Sequence, residues 1–63
     1  MDGETIRRFR LGCRWSQIEI AQELRITQPV VSRYENNVRV PSLQVEFDLL
    51  ALMRLKDFDP ASE

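Results

Sequence analysis

The sequence predicts an all-α fold, a compact bundle of four to five short helices that forms a single domain over residues 1–63. Three observations support this prediction. Apolar residues recur every three or four positions, which is the spacing of amphipathic helices. Three of the expected helices follow a hydroxyl residue that can cap them, namely Ser16, Thr27 and Ser42. With 43% hydrophobic and 30% charged residues, the composition is that of a folded domain with room for one small core.

The first two helices are predicted on either side of Gly12. The first covers about residues 4–11 and ends at Gly12, a residue that is typical of helix ends. The second begins at Gln17, because Ser16 with Glu19 three residues later forms a capping box. Its inward face is expected to hold Ile20, Ala21 and Leu24.

The third helix is predicted after a turn at Arg25, with the Thr27 hydroxyl as its cap. Pro29 is tolerated in the first turn, where the N–H groups have no partner inside the helix. Asn37 is expected to end the helix in a left-handed conformation. The inward face comprises Val31, Tyr34 and the stem of Glu35, and the outward face comprises Gln28, Pro29, Ser32, Arg33 and Asn36.

The C-terminal helix and tail occupy about residues 43–63. Ser42 caps a helix predicted over 43–52, with an extension to Leu55 as an open alternative, and the tail around Phe58 offers a fifth short turn. Two apolar stripes run along this helix, so it needs two partners. One stripe is Leu43, Phe47 and Leu50 with Arg54, and the other is Val45, Leu49, Leu52 and Met53.

The residue order from Ile6 to Leu52 resembles the Cro/repressor-type (Xre-like) helix-turn-helix family of phage and bacterial transcriptional regulators. The resemblance is densest in SQIEIAQELRITQPVVSRYENN and in the following VPSL. It implies a lambda-repressor-like DNA-binding domain with the helix-turn-helix at about residues 17–36 and the third helix in the major groove. Arg25 stands where the family usually has glycine, which costs about 1 kcal/mol if the backbone there is left-handed.

The outward face of the third helix carries side chains suited to base edges. The Gln28 amide can pair with adenine N6 and N7, and the Arg33 guanidinium can pair with guanine O6 and N7 or with a phosphate. Ser32 is small enough for close approach to a base, and Pro29 can touch a thymine methyl group. These four residues are the predicted base readers.

A second set of residues is predicted to contact phosphates. Ser16 and Gln17 start the helix that should cross the DNA backbone, where free N–H groups attract phosphate. The resemblance adds a second phosphate clamp around Asn36, Arg39 and Ser42, with Arg14 as a looser candidate. Arg10 matches a position that pairs with Glu35 in relatives, and we expect it to form that ion pair, to contact phosphate, or both, with the structural role favoured.

The charge distribution is compatible with DNA although the net charge is −1. Residues 1–40 hold seven arginines and five acids, whereas residues 41–63 hold Arg54 and Lys56 against five acids. The helix-turn-helix half is therefore basic and the far half acidic. We expect weak nonspecific binding whose salt dependence reflects a few phosphate contacts.

Other function classes find little support in the composition. The chain has no histidine, one cysteine (Cys13, interpreted as a small residue at a helix end), no Gly-rich phosphate loop and no metal-ligand cluster. We therefore expect no enzyme activity, no cofactor and no small-molecule ligand. With neither a signal peptide nor a long apolar run, the expected location is the cytoplasm.

The sequence thus predicts a sequence-specific regulator of transcription that binds double-stranded DNA as a homodimer on an inverted repeat. The expected dimer interface is the stripe Val45, Leu49, Leu52 and Met53. Repression is favoured, because so short a chain shows no effector domain; a small activator, an antitoxin-type autoregulator and a controller of a restriction system stay open. The alternative is a protein-interaction module that keeps the fold without reading DNA.

Overall fold

Four helices account for the regular structure of residues 1–61, which are the residues that the computed structural model describes. They are α1 (Gly3–Gly12), α2 (Gln17–Leu24), α3 (Gln28–Glu35) and α4 (Leu43–Leu55). The all-α prediction is confirmed. The possible fifth turn around Phe58 is not a helix, and α4 takes the longer of its two predicted ends. No helix in the described range is long and apolar enough to cross a membrane.

The core lies where α1, α2, α3 and α4 meet. Ala21 is 3% exposed, so its small side chain allows a close approach to the neighbouring helices. The inward faces predicted for α2 and α3 are both buried. The buried apolar side chains are Ile6, Phe9, Ile20, Ala21, Leu24, Val31, Tyr34, Val45, Leu49 and Met53.

The predicted capping box of α2 is present. Ser16 Oγ accepts the N–H of Glu19 at 3.0 Å, and the Glu19 carboxylate accepts the N–H of Ser16 at 2.8 Å. The side-chain cap expected from Thr27 is absent, although Thr27 occupies the N-cap position of α3. The reason is local: Pro29 has no N–H to donate, and the N–H of Val30 donates to the carbonyl of Thr27 instead.

The N-terminus of α1 packs directly on the C-terminal end of α3. The N–H of Gly3 donates to Asn37 Oδ1 at 2.9 Å, and Asn37 adopts the predicted left-handed conformation with φ 59°. Gly3 lies so close to α3 that a Cβ atom would meet the carbonyl oxygens of Tyr34 and Glu35. This contact sets the position of α1 against the C-terminal end of α3.

The two stripes of α4 have the opposite roles to those predicted. Val45, Leu49 and Met53 are 8%, 0% and 0% exposed, and Leu52 packs partly buried against the same core. The predicted dimer interface is therefore wrong, because these side chains are already covered by the chain itself. The stripe that faces solvent holds Leu43 and Phe47, which are 73% and 62% exposed. Periodicity reveals two stripes but carries no information about which one the rest of the chain covers.

Aromatic contacts hold the tail beyond α4 against α1. Phe58 packs on Phe9 with ring centroids 5.3 Å apart, and Trp15 meets the edge of Phe9 at 5.9 Å. The tail therefore completes the hydrophobic core without forming a helix.

Cys13 is the half-buried C-cap residue of α1, in agreement with its predicted place at a helix end. Burial raises the pKa of its thiol.

Arg25 occupies the turn between α2 and α3 in a left-handed conformation, with φ 58° and ψ 41°. A residue with a Cβ atom pays about 1–2 kcal/mol for this conformation, whereas glycine does not. Arg25→Gly should therefore stabilise the protein by about 0.5–1 kcal/mol, after part of the gain is lost to the greater freedom of glycine in the unfolded chain. Urea unfolding followed by circular dichroism measures the change. Arg25→Ala is the control, because it keeps the Cβ atom and should give no such gain; equal gains in both variants would contradict the argument.

Candidate nucleic-acid interface

The outward face of α3 presents the four predicted base readers on one surface. Pro29 and Arg33 are exposed, and Gln28 and Ser32 are half-buried. From Gln28 to Arg33 these side chains span about one and a half turns at the N-terminal part of α3, the part of a recognition helix that contacts base edges. The face is therefore open at Pro29 and Arg33 and partly covered at Gln28 and Ser32.

Gln28 does not stand alone at the start of α3. Its Nε2 donates to Oε1 of Gln17, the first residue of α2, at 2.7 Å. The Nε2 of Gln17 in turn donates to Oε1 of Glu35 at 3.1 Å. A predicted base reader and a predicted phosphate contact are thus joined to the one buried charged residue of the described chain.

Glu35 is the centre of a buried ion-pair network. Its side chain is fully buried, and Oε2 lies 2.6 Å from Arg10 Nε. Its Oε1 accepts from Arg10 Nη2 and Gln17 Nε2, each at 3.1 Å, and from Arg7 Nε at 3.5 Å. Burial raises the pKa of the Glu35 carboxyl, but the hydrogen bonds from Arg10 and Gln17 and the charge of Arg10 lower that pKa by more. The carboxyl pKa therefore lies below its usual range.

Arg10 has a structural role, as favoured from the sequence. All three of its guanidinium nitrogens are used within the chain, two by Glu35 and the third by the carbonyl oxygen of Trp15 at 3.1 Å. Its side chain is only 13% exposed. The phosphate contact predicted for Arg10 does not fit this arrangement, because the guanidinium is neither free nor at the surface.

One group of predicted phosphate contacts lies at the start of α2. Ser16 is exposed and Gln17 is half-buried, and both stand at the N-terminus, where the helix dipole favours an anion. Arg14 is exposed two residues earlier and has a left-handed backbone with φ 60°. Gln17 connects this group to α3, because it accepts a hydrogen bond from Gln28.

The second group of predicted phosphate contacts lies after α3. Asn36 is exposed, and its Nδ2 donates to Ser32 Oγ at 3.4 Å. Arg39 is exposed in the loop that follows, where its N–H donates to the carbonyl of Arg33 at 3.3 Å. Ser42 caps α4 through its hydroxyl, which accepts the N–H of Val45 at 3.3 Å. Gln17 of the first group and Asn36 of the second therefore flank the outward face of α3, through their hydrogen bonds with Gln28 and Ser32.

Sequence reasoning missed Arg7. Its Nη2 donates to Asn36 Oδ1 at 3.4 Å, and its Nε reaches Glu35. The side chain remains 42% exposed, so it links the buried network to the surface beside Asn36. The available signal was its position one helical turn before Arg10, which puts both arginines on the same side of α1.

The arrangement offers hydrogen-bond donors and acceptors on the outward face of α3, with Gln17 and Asn36 beside it. Within residues 1–61, no set of three or more His, Cys, Asp or Glu side chains could hold a metal ion. Amide, hydroxyl and guanidinium groups are the side-chain groups that commonly form hydrogen bonds with base edges and phosphates. The chemistry of this surface is therefore that of nucleic-acid recognition.

Comparison with known proteins agrees with this geometry. A helix-turn-helix family model matches residues 6–56, which include all of α2, α3 and α4 and the part of α1 from Ile6 onward. Neither the curated proteins nor the solved structures gave a match. The matched segment contains both flanking groups and the outward face of α3. The chain therefore belongs to the Cro/C1-type helix-turn-helix family of DNA-binding regulators.

Proposed function

We propose that the protein represses transcription by binding, as a homodimer, to an inverted-repeat DNA operator. The observation that carries this proposal is the outward face of α3, where Gln28, Pro29, Ser32 and Arg33 lie together and the polar residues Gln17 and Asn36 contact Gln28 and Ser32. Repression requires only that the occupied operator excludes other proteins, so the DNA-binding domain is sufficient for it.

The chemistry of each side chain determines whether we assign it to a base or to a phosphate. Gln28 pairs with an adenine, Arg33 with a guanine, and Ser32 with a base within reach of its hydroxyl. Pro29 packs against a thymine methyl group. The residues that hold register on phosphates are Arg14, Ser16, Gln17, Asn36, Arg39 and Ser42.

Selection of bound duplexes from a random pool at about physiological salt, followed by sequencing, tests the proposal. An enriched inverted repeat is the expected result. The two half-sites should lie about one helical turn apart, so that both copies of α3 face the same side of the DNA. A folded protein that enriches no sequence would overturn specific recognition, and an enriched single half-site would overturn the dimer.

Two arginines should respond differently to truncation. Arg33→Ala should cost about 1–3 kcal/mol on the best site and relax the preference at one base pair, because a base contact is lost. Arg39→Ala should weaken binding about equally on all sequences and reduce the salt slope by about 1, because a phosphate contact is lost. Titration of each variant against the best site and single-base changes, at several salt concentrations, makes the comparison. Similar profiles for the two variants would contradict these assignments.

For the dimer we propose the solvent-facing stripe of α4, in place of the stripe predicted from the sequence. Leu43, Phe47 and Leu55 are 73%, 62% and 80% exposed along this helix. An open depression of about 660 Å³ runs beside them, lined by Phe47, Leu50, Ala51, Arg54 and Leu55. Exposed large apolar side chains grouped on one helix in this way favour association. A 63-residue chain has little core of its own, so a second copy adds useful burial.

Phe47→Asp should leave a monomer, because the charge would be buried unpaired in the centre of this interface. Analytical ultracentrifugation at tens of micromolar protein compares the variant with the wild-type chain. Leu11→Asp is the matched control, since Leu11 is 57% exposed on α1, away from the stripe. A wild-type monomer, with or without DNA, or a Phe47→Asp dimer would contradict the proposed interface.

The exposed stripe of α4 also favours a second candidate function, a module that binds another protein without reading DNA. The acidic balance of residues 41–63 points in the same direction. The two candidates differ in the selection experiment, because only the regulator enriches a sequence. A protein complex that is insensitive to salt, together with no enrichment, would favour the second candidate.

A further inference from the structure

Two arginines of α1 share the carboxylate of Glu35, the one buried charged group within residues 1–61. Arg10 lies 2.6 Å from Oε2 through its Nε and 3.1 Å from Oε1 through its Nη2. Arg7 reaches Oε1 only at 3.5 Å, through its Nε. A two-pronged pairing with short distances is the stronger kind, so Arg10 neutralises Glu35. The positive charge of Arg7 is therefore in surplus beside this pair.

The surplus charge lies at the surface. The side chain of Arg7 is 42% exposed, and its Nη2 donates to Asn36 Oδ1 at 3.4 Å. An arginine has five N–H groups, and the contacts with Glu35 and Asn36 use two of them. Three N–H groups therefore remain for an acceptor outside the chain. Because both contacts are longer than the usual hydrogen bond, the guanidinium is free to shift toward such an acceptor.

Arg7 also sets the orientation of the Asn36 amide. A guanidinium can only donate, so the end of the amide that faces it must be the oxygen. The NH2 group is then directed to the opposite side, where Nδ2 donates to Ser32 Oγ at 3.4 Å. Since Ser32 belongs to the outward face of α3, Arg7 and the NH2 group of Asn36 lie together at one edge of that face.

A phosphate at this edge requires a cation. Asn36 is the C-cap residue of α3, and the C-terminal end of a helix carries a partial negative charge that repels an anion. The amide of Asn36 is neutral and offsets only part of this repulsion. The surplus charge of Arg7 supplies what is missing, and the planar guanidinium presents its N–H groups in the geometry that phosphate oxygens accept.

We propose that Arg7 contacts a DNA phosphate, and that Arg7 and the NH2 group of Asn36 form a two-donor clamp for this phosphate at the C-terminal end of α3. Glu35 holds Arg7 near the position without consuming its charge, because Arg10 already neutralises that carboxylate. The inference rests on the proposed function, since it assumes that the outward face of α3 meets DNA. A contact of this kind fixes position on the duplex and carries no base preference.

The salt dependence of DNA binding by Arg7→Gln tests the inference. Each neutralised phosphate contributes about 0.9 to the slope of log K against the logarithm of the salt concentration. Arg7→Gln should therefore reduce this slope by about 1 and weaken binding about fivefold at a salt concentration of about 0.15 M. The loss should be the same on the best site and on single-base changes of it.

Arg8→Gln is the matched control. It removes the same charge from the neighbouring residue of α1, whose guanidinium lies over the ring of Phe58, 5.9 Å from its centroid. The slope in this variant should stay at the wild-type value. Arg7→Lys keeps a positive charge at the clamp and should restore most of the slope that Arg7→Gln loses.

The slope separates a phosphate contact from a merely structural role. Loss of the contact between Arg7 and Glu35 lowers the folded fraction, which thermal unfolding measures. A smaller folded fraction reduces affinity by the same factor at every salt concentration, and the slope then stays constant. A reduced slope in Arg7→Gln that is restored in Arg7→Lys and absent from Arg8→Gln supports the inference.

Asn36→Asp serves as a second variant if Arg7→Gln does not fold. Position 36 is exposed, and the new carboxylate would pair with Arg7 and repel the phosphate, so the slope should fall by at least about 1. Gln22→Glu makes the same change of charge at an exposed position of α2 and should leave the slope nearly unchanged. A wild-type slope in Asn36→Asp, or an equal fall in Gln22→Glu, would overturn the clamp.

The other outcomes distinguish this inference from the proposed function. A wild-type slope in Arg7→Gln, an equal fall in Arg8→Gln or no recovery in Arg7→Lys would overturn the inference and leave the proposed function standing. A wild-type chain that enriches no sequence, yet binds duplex DNA with a slope that depends on Arg7, would overturn the proposed function alone. Absence of any DNA binding by the wild-type chain would overturn both.

Discussion

Glu35→Ala should leave most of the protein unfolded at 25 °C. The substitution removes the buried partner of Arg10, whose side chain is only 13% exposed and would keep its charge in a poorly solvated position. Removal of one member of a buried ion pair costs about 3–5 kcal/mol. A core this small rarely supplies more than about 3–5 kcal/mol of stability, so the loss consumes nearly all of it. Circular dichroism should show reduced helix content and no cooperative thermal transition.

Two further variants test the reason for this loss. Glu23→Ala removes an exposed glutamate from α2 and should change the free energy of unfolding by less than about 0.5 kcal/mol. The double variant Arg10→Met with Glu35→Met removes both charges and should recover much of the stability, because paired burial itself is costly. A folded Glu35→Ala protein with near-normal stability would contradict the assigned role of the network.

The same carboxylate makes stability depend on acid. The pKa of Glu35 is lower in the folded protein than in the unfolded chain, so the unfolded chain takes up a proton first as the pH falls. Its contribution to stability is therefore complete above the pKa of the carboxyl in the unfolded chain, and it is lost as the pH falls through the lower pKa of the folded protein. Urea unfolding measured at pH 7 and at successively lower pH should show this decline.

Gly3→Ala should lower the free energy of unfolding by about 3 kcal/mol, which is the second of the two largest effects that we expect. The added Cβ atom would lie 2.2 Å from the carbonyl oxygen of Glu35 and 2.4 Å from that of Tyr34. Both obstacles are backbone atoms at the end of α3, so the clash can be relieved only if α1 moves away from α3. Such movement would also lengthen the hydrogen bond from Gly3 to Asn37. Overpacking of this kind costs about 1–3 kcal/mol, and the stretched hydrogen bond adds to it.

Gly12→Ala is the control for this prediction. Gly12 is the last residue of α1, has no positive φ, and a Cβ atom there would meet nothing within 4 Å. Alanine should therefore be neutral or stabilise the helix by up to about 1 kcal/mol. Urea unfolding of the two variants compares the same chemical change at opposite ends of one helix. Equal effects of the two substitutions would contradict the close packing of α1 on α3.

The local features of the helix-turn-helix could be predicted from the sequence because each depends on neighbouring residues. The capping box of Ser16 and Glu19 spans three residues, and the left-handed conformation of Asn37 is a property of that residue type and its position. Arg25 adopts a left-handed backbone at the position where the family usually has glycine. The predicted Thr27 cap is wrong although capping is local, because Pro29 has no N–H and the N–H of Val30 donates to the Thr27 carbonyl instead of the Thr27 hydroxyl.

Contacts between helices could not be predicted in the same way. The sequence revealed two apolar stripes on α4. Which of them is buried depends on how the loop through Pro41 orients α4 against the core. Arg7 and Glu35 are 28 residues apart, and the position of Arg7 one turn before Arg10 is the only sign in the sequence that they meet. The link from Glu35 through Gln17 to Gln28 likewise needs the packing of α2 on α3.

By itself, the sequence determined the class of the fold, the bounds of the helices to within a few residues, and the outward face of α3. These follow from helix periodicity and capping, which act over a few neighbouring residues. The tertiary structure alone decided that Val45, Leu49 and Met53 belong to the core, that Arg7 reaches Glu35 and Asn36, and that Gln28 donates a hydrogen bond to Gln17. Burial and hydrogen-bond direction depend on which distant groups meet, and only the packed helices bring those groups together.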